Sequence, residues 1–107
     1  MENPNVKNVT ADEANKLIKE NKEILILDVR TKGEYDGGHI PGAKLIPAQQ
    51  LASRISEIDK YVNKPILVYC ASGGRSPRAV QTLVKNNFTN IYHLARGIST
   101  WTYGIKR

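Results

Sequence analysis

Cys70 is the one thiol in the chain, and it opens the run Cys70-Ala71-Ser72-Gly73-Gly74-Arg75-Ser76, with Pro77 directly after. These residue types, at this spacing, suit a nucleophilic thiolate. Upstream, Pro65-Ile66-Leu67-Val68-Tyr69 is a short apolar run rich in β-formers, which predicts a buried strand. Downstream, Ala79, Val80, Leu83 and Val84 fall on one face of a helix, with Ser76 as its N-cap and Pro77 at its first position. Successive N–H groups in a glycine-containing loop that feeds a helix N-terminus form a concave anion site. A thiol held there, with Arg75 close by, has its charged form favoured and its pKa lowered. A cysteine at a strand end is most often a small buried hydrophobe. Here the glycine pair, Arg75 and the cap together supply the electropositive setting that reactivity needs.

Other polar residues could serve this loop. Asp28 and Glu34 are carboxylates that could do acid–base work, but pairing with Arg30 or Arg75 to hold the loop is the simpler role. His39 lies between Gly38 and Ile40-Pro41, a setting that suits a hydrogen-bonded bracket for a turn better than catalysis. His39 and His93 with a single cysteine make no metal-ligand pattern, and no cofactor is expected. Gly73 and Gly74 both allow close backbone approach or a positive φ. The Ser72 hydroxyl serves either bound substrate or the loop itself, and the residues alone leave both open.

To position these groups the chain must alternate strands with helices. A loose arm over residues 1–5 leads to a short first strand at Val6–Val9. Thr10-Ala11-Asp12-Glu13 is a capping box for a helix that turns Ala11, Ala14, Leu17 and Ile18 inward and ends near Asn21. Ile24–Leu27 is apolar at consecutive positions, which predicts a strand buried on both faces with Asp28-Val29-Arg30 at its carboxyl end. Residues 31–43 contain five Gly or Pro, so they are expected to form a shaped loop with one helical turn at Glu34. Lys44–Ile46 reads as a strand, and Ala48–Ile58 as an amphipathic helix with Leu51, Ile55 and Ile58 inward. Asn90–Leu94 predicts the last strand, and Gly97–Tyr103 a short final helix with Trp101 in the core. Short alternating units argue for an α/β fold with a parallel sheet covered on both faces. Ligands of such sheets bind at the carboxyl ends of the strands, where Asp28 and Cys70 are expected to converge on one site.

Composition narrows the function classes. The chain has 107 residues, 40% apolar and 24% charged, which fits one soluble domain with a single modest core. No apolar run approaches a membrane span. Met1-Glu2-Asn3-Pro4-Asn5 has neither the basic start nor the apolar stretch of a signal peptide, and one cysteine cannot form an internal disulfide. A cytoplasmic location, with no membrane partner, is therefore expected. The net charge is +6, but lysine and arginine are scattered rather than gathered into a basic run interleaved with aromatics. That points away from nucleic acid and toward small anionic substrates.

Three segments resemble the single-domain rhodaneses, the thiosulfate sulfurtransferase-like proteins. They are Asp28-Val29-Arg30 with Glu34-Tyr35, the run Gly38-His39-Ile40-Pro41-Gly42-Ala43, and the loop Cys70 to Ser76. Gly97-Ile98-Ser99-Thr100-Trp101 is similar to the family's Gly-Gly followed by Trp, with Arg96 where the first Gly usually stands. The resemblance runs from about Val9 to Trp101 and makes residues 1–107 a single rhodanese-like domain. It implies a three-layer fold, a five-stranded parallel sheet flanked by helices.

The resemblance also implies a double displacement. The Cys70 thiolate takes the outer sulfur of a small anionic donor as a persulfide, and a thiol, cyanide or sulfur-accepting protein removes it. Ala71, Ser72, Gly73, Gly74, Arg75 and Ser76 then bind substrate, with Asp28, Arg30, Glu34 and His39 in support. Phosphatases and arsenate reductases of the same fold have a loop one residue longer than the six residues from Cys70 to Arg75. The shorter ring favours sulfur chemistry. Two alternatives stay open: such a phosphatase or arsenate reductase, recruiting Glu34 or Asp36 as its acid, and a sulfur-carrier domain with little turnover. Thiosulfate-using members can carry cations just after the cysteine, where this chain has Ala71 and Ser72, so the donor can equally be another persulfide or polysulfide.

Overall fold

A computed structural model describes residues 3–107. Five strands, β1 (Val6–Val9), β2 (Leu25–Asp28), β3 (Lys44–Leu45), β4 (Ile66–Tyr69) and β5 (Ile91–Leu94), form one sheet in the order β1-β5-β4-β2-β3. Every pairing is parallel. All four residues of β2 and of β4 are buried, because both strands lie inside the sheet and helices cover both faces. Among the described residues no helix is long and apolar enough to cross a membrane.

The α-helices are α1 (Ala11–Glu20), α2 (Lys32–Gly37) and α3 (Ser76–Lys85). Side chains alternate across the strands, so the sheet divides the apolar residues into two clusters rather than a single core. On one face, Leu25, Leu27, Ile66, Val68 and Ile91 pack against Ala79, Val80 and Leu83 of α3 and against Leu51 and Ile58. On the other, Val9, Ile26, Leu67, Tyr69 and Leu94 pack against Ala14 of α1, with Leu17, Ile18 and the half-buried Trp101 alongside.

Several elements depart from the expectations above. Residues 1 and 2 of the expected loose arm lie outside the described residues, and 3–5 form a turn in which Val6 N–H donates to the Asn3 carbonyl. The expected helix over 48–58 is two runs of 3-10 helix, Ala48–Gln50 and Ala52–Tyr61, with Arg54 off helical geometry at φ −116°. The cause is local. Ser53 Oγ donates to the Gln50 carbonyl, and Arg54 N–H turns to Leu51 instead. The expected final helix shrinks to Ile98–Thr100, because Ser99 and Thr100 spend their hydroxyls on the Arg96 and Gly97 carbonyls. The chain then runs out to pair Lys106 with His39. Conversely, the turn expected at Glu34 is a full six-residue helix. Thr31 and Glu34 close both halves of a capping box that outweighs the glycines.

Candidate active site

The loop begins where β4 ends. Gly73 takes φ +99°, and a Cβ there would strike the Ala95 carbonyl oxygen, so this position requires glycine. Gly97, at φ +70°, is equally constrained from the other side, where a Cβ would strike the Ala71 carbonyl. From that turn, Ile98 N–H donates to the Cys70 carbonyl and Ser99 N–H to the Ala71 carbonyl, both at 3.0 Å. The segment after β5 thus braces the loop, a role that the reading of Cys70 to Ser76 alone missed. Gly97 in the Gly…Trp motif was its only signal.

Cys70 Sγ sits at the bottom of this loop, with the residue 1% exposed. Gly73 N–H donates to it at 3.1 Å and Ser76 N–H at 3.4 Å, and Ser76 Oγ lies 3.3 Å away. Burial pushes the thiol pKa up. The Ser76 hydroxyl and the amides of Arg75, Ser76 and Gly73 more than offset this, and the net shift is downward.

Ser76 is not the N-cap. It is the first residue of α3, Arg75 holds the cap position without a side-chain capping bond, and Pro77 follows within the first turn. The Ser76 hydroxyl is taken instead by its neighbours inside the protein. It lies 3.3 Å from Cys70 Sγ and 2.6 Å from His93 Nε2, in a residue with no exposed surface.

Arg75 grips Glu34 with two bonds, of 2.6 and 2.8 Å, and so ties the loop to α2. The Arg75 bond is the chief cause that holds the Glu34 carboxyl down, at about 2. Glu34 Oε1 also accepts from Thr31 N–H, so one carboxylate caps α2 and anchors the loop. Ser72 and Gly74 are exposed at the loop rim, and Ala71 is half-buried.

Asp28 reaches the same end of the sheet but not the same site. It lies on the face of Ile26 and Tyr69, whereas Cys70 lies on the face of Val68. Asp28 pairs with Arg30 at 2.7 Å and accepts from Tyr69 Oη at 2.8 Å, while Arg30 donates to the Gly38 carbonyl. Burial pushes the Tyr69 hydroxyl pKa far up, and the Asp28 charge adds to it. His39 stacks on Tyr35 with ring centroids 3.7 Å apart, and its Nδ1 lies 2.9 Å from the Tyr35 carbonyl. These four residues therefore divide. Glu34 holds the thiol loop, while Asp28, Arg30 and His39 hold the neighbouring 35–40 turn. Among the described residues no cluster of His, Cys, Asp or Glu is arranged to hold a metal ion.

Known proteins share this architecture. A rhodanese-like domain protein from Staphylococcus aureus superposes with a TM-score of 0.79 at 31% identity, covering 94% of this chain and 96% of that one. The thiosulfate sulfurtransferase GlpE of Coxiella burnetii is 36% identical over 95 residues, 89% of this chain and 86% of that protein. The uncharacterized protein YqhL of Bacillus subtilis is 47% identical over 81 residues, which are 76% of this chain but 63% of that protein. Sulfur transfer is the chemistry that the family and its named members support. Residues 10–103 match the rhodanese-like domain, and the chain belongs to that family.

Proposed function

We propose that this protein is a sulfurtransferase that carries a sulfane sulfur on Cys70, from thiosulfate or another persulfide donor to a thiol or cyanide. The observation that carries the reading is the convergence of the Gly73 and Ser76 amides and the Ser76 hydroxyl on a single sulfur. In the first half-reaction the Cys70 thiolate attacks the outer sulfur of thiosulfate. The donor's S–S bond breaks with its electron pair leaving on sulfite, and Cys70 becomes a persulfide. In the second, the acceptor attacks the outer sulfur and the electron pair returns to Cys70 Sγ. Sulfur changes hands at each step without an external oxidant. The fixed amides stabilise the anion wherever it rests on Cys70. Ser72 is exposed at the rim, which supports a role for its hydroxyl in meeting the donor's oxygens. A sulfur-accepting protein in the reducing cytoplasm fits the same second step.

Mass spectrometry of the purified protein after thiosulfate treatment tests this. We expect a gain of one sulfur, reversed by cyanide and absent in Cys70→Ser. Aryl-phosphate hydrolysis through Cys70, with no sulfur gained from any donor, would overturn the reading in favour of phosphatase chemistry.

A further inference from the structure

A line of hydrogen bonds, buried as far as His93, leads away from the thiol. Cys70 Sγ lies 3.3 Å from Ser76 Oγ, which lies 2.6 Å from His93 Nε2, and His93 Nδ1 lies 3.0 Å from Asn8 Oδ1. The sheet register makes this line. Asn8 and His93 are paired residues of β1 and β5 on the face that α3 covers, and Ser76 starts α3 above them. An amide oxygen only accepts, so Asn8 Oδ1 fixes the proton on His93 Nδ1. Nε2 of the neutral ring is then an acceptor, and the Ser76 hydroxyl donates to it. The Ser76 lone pairs are left toward Cys70, where they receive the thiol S–H. Asn8 is exposed and lines a groove of about 460 Å³ over the carboxyl ends of β1 and β5. The line thus connects a sulfur in a 1% exposed residue to a solvent-facing edge.

We propose that His93, acting through Ser76 and anchored by Asn8, is a positioning residue that takes up the proton Cys70 loses, so that the nucleophile forms as a thiolate–imidazolium pair bridged by a serine hydroxyl. The S–H bond breaks as its proton passes to Ser76 Oγ, and the Ser76 proton passes to His93 Nε2. Atoms and charge balance, and Ser76 ends as the donor to the thiolate. This rests on Cys70 as the nucleophile of the proposed function. β4 sets apolar Val68 beside His93, β1 presents neutral Asn8 and α3 presents Ser76. The loop contributes Arg75, whose charge is turned chiefly to Glu34 and is also felt by Cys70. Burial alone disfavours the imidazolium of His93, so the proton stays there only while the thiolate lies beside it.

The test follows Cys70 alkylation against pH in wild type, His93→Gln and Asn8→Asp, with circular dichroism confirming the fold of each. The Gln variant keeps an acceptor for Ser76 but cannot hold a proton. Its alkylation midpoint should rise by about one pH unit, slowing the reaction about tenfold below the midpoint. Asn8→Asp, at an exposed edge, should lower the midpoint by stabilising the imidazolium. Nitrogen-15 NMR of wild type should show His93 doubly protonated while Cys70 is thiolate, and neutral in Cys70→Ala at the same pH. A His93→Gln midpoint equal to or below wild type, or a neutral His93 beside a formed thiolate, would overturn the proposal. Sulfur gain by wild type is scored separately. Its failure sinks the sulfurtransferase reading alone, whereas normal gain with an unshifted His93→Gln midpoint sinks the relay alone.

Discussion

At the scale of single residues, two opposed effects meet at Cys70. Burial disfavours charge, and short hydrogen bonds from amides and a hydroxyl favour it. Because the donors win, the alkylation rate against pH should show a midpoint below the ordinary thiol value of about 8.5. The midpoint is the quantity to read, since burial slows the absolute rate at every pH. A midpoint at or above the ordinary value would mean that the loop does not stabilise the thiolate. Arg75 acts differently. Its pair with Glu34 is partly exposed, with side chains 40% and 33% accessible, so it adds less than about 1 kcal/mol to stability. Its value lies in geometry. Arg75→Lys keeps the charge and loses the two-pronged grip, so melting should barely move while sulfur transfer falls several-fold. Acid should loosen the same tie. The Glu34 pKa is lowered on folding, so the pair's contribution is complete above the ordinary carboxylate value of 4.5 and is lost as pH falls from there through about 2. The Glu34 carboxylate signal in an NMR titration should show that low midpoint in wild type and return toward 4.5 in Arg75→Lys.

At the scale of elements, the loop is shaped by what stands behind it. Gly73 and Gly74 are adjacent glycines with different duties. Gly73 has a positive φ and a carbonyl where its Cβ would go, whereas nothing approaches the Cβ position of Gly74 within 4 Å. Gly73→Ala should therefore displace the amide that donates to Cys70, raise the thiol midpoint and cut persulfide formation by about tenfold or more, a barrier change of roughly 1.4 kcal/mol. Gly74→Ala should be close to wild type in the same assays. Equal losses in the two variants would show that glycine matters here only for loop flexibility. The capping box of α2 belongs to this scale as well. Glu34 is in register to meet Arg75 only because Thr31 starts the helix three residues earlier.

At the scale of the whole molecule, the sheet separates the face of the candidate thiol site from the face of the buried Asp28–Arg30 pair. Cys70, Ser76 and His93 lie on the α3 side, while Asp28, Arg30 and Tyr69 lie on the other. Tyr69→Phe removes the hydroxyl that joins the Ile40 amide to Asp28, leaving buried polar groups short of a partner at a cost of about 1–3 kcal/mol. Melting temperature should fall while sulfur transfer per folded molecule holds, and a matching loss of transfer would show that the two faces are coupled. The division also explains what could be read from the chain in advance. Cys70, its glycine loop, the strand before it and the helix after it are set by neighbours in sequence, and local patterns were enough to find them. So were the alternation that makes a parallel sheet and the capping box at Thr10. The failures were of two physical kinds. Ser53, Ser99 and Thr100 compete locally with the helix for nearby carbonyls, and the apolar periodicity does not register that competition at 48–61 and 98–100. The others concern distance along the chain. Asp28 was expected beside Cys70, but the strand's two-residue period turns it to the far face. Asn8 and His93 are 85 residues apart and carry no motif, yet strand register sets them side by side behind the thiol. The sequence by itself marked Cys70 as the candidate nucleophile and set the loop around it. Register and sheet face, which depend on partners far off in the chain, decided which groups surround it.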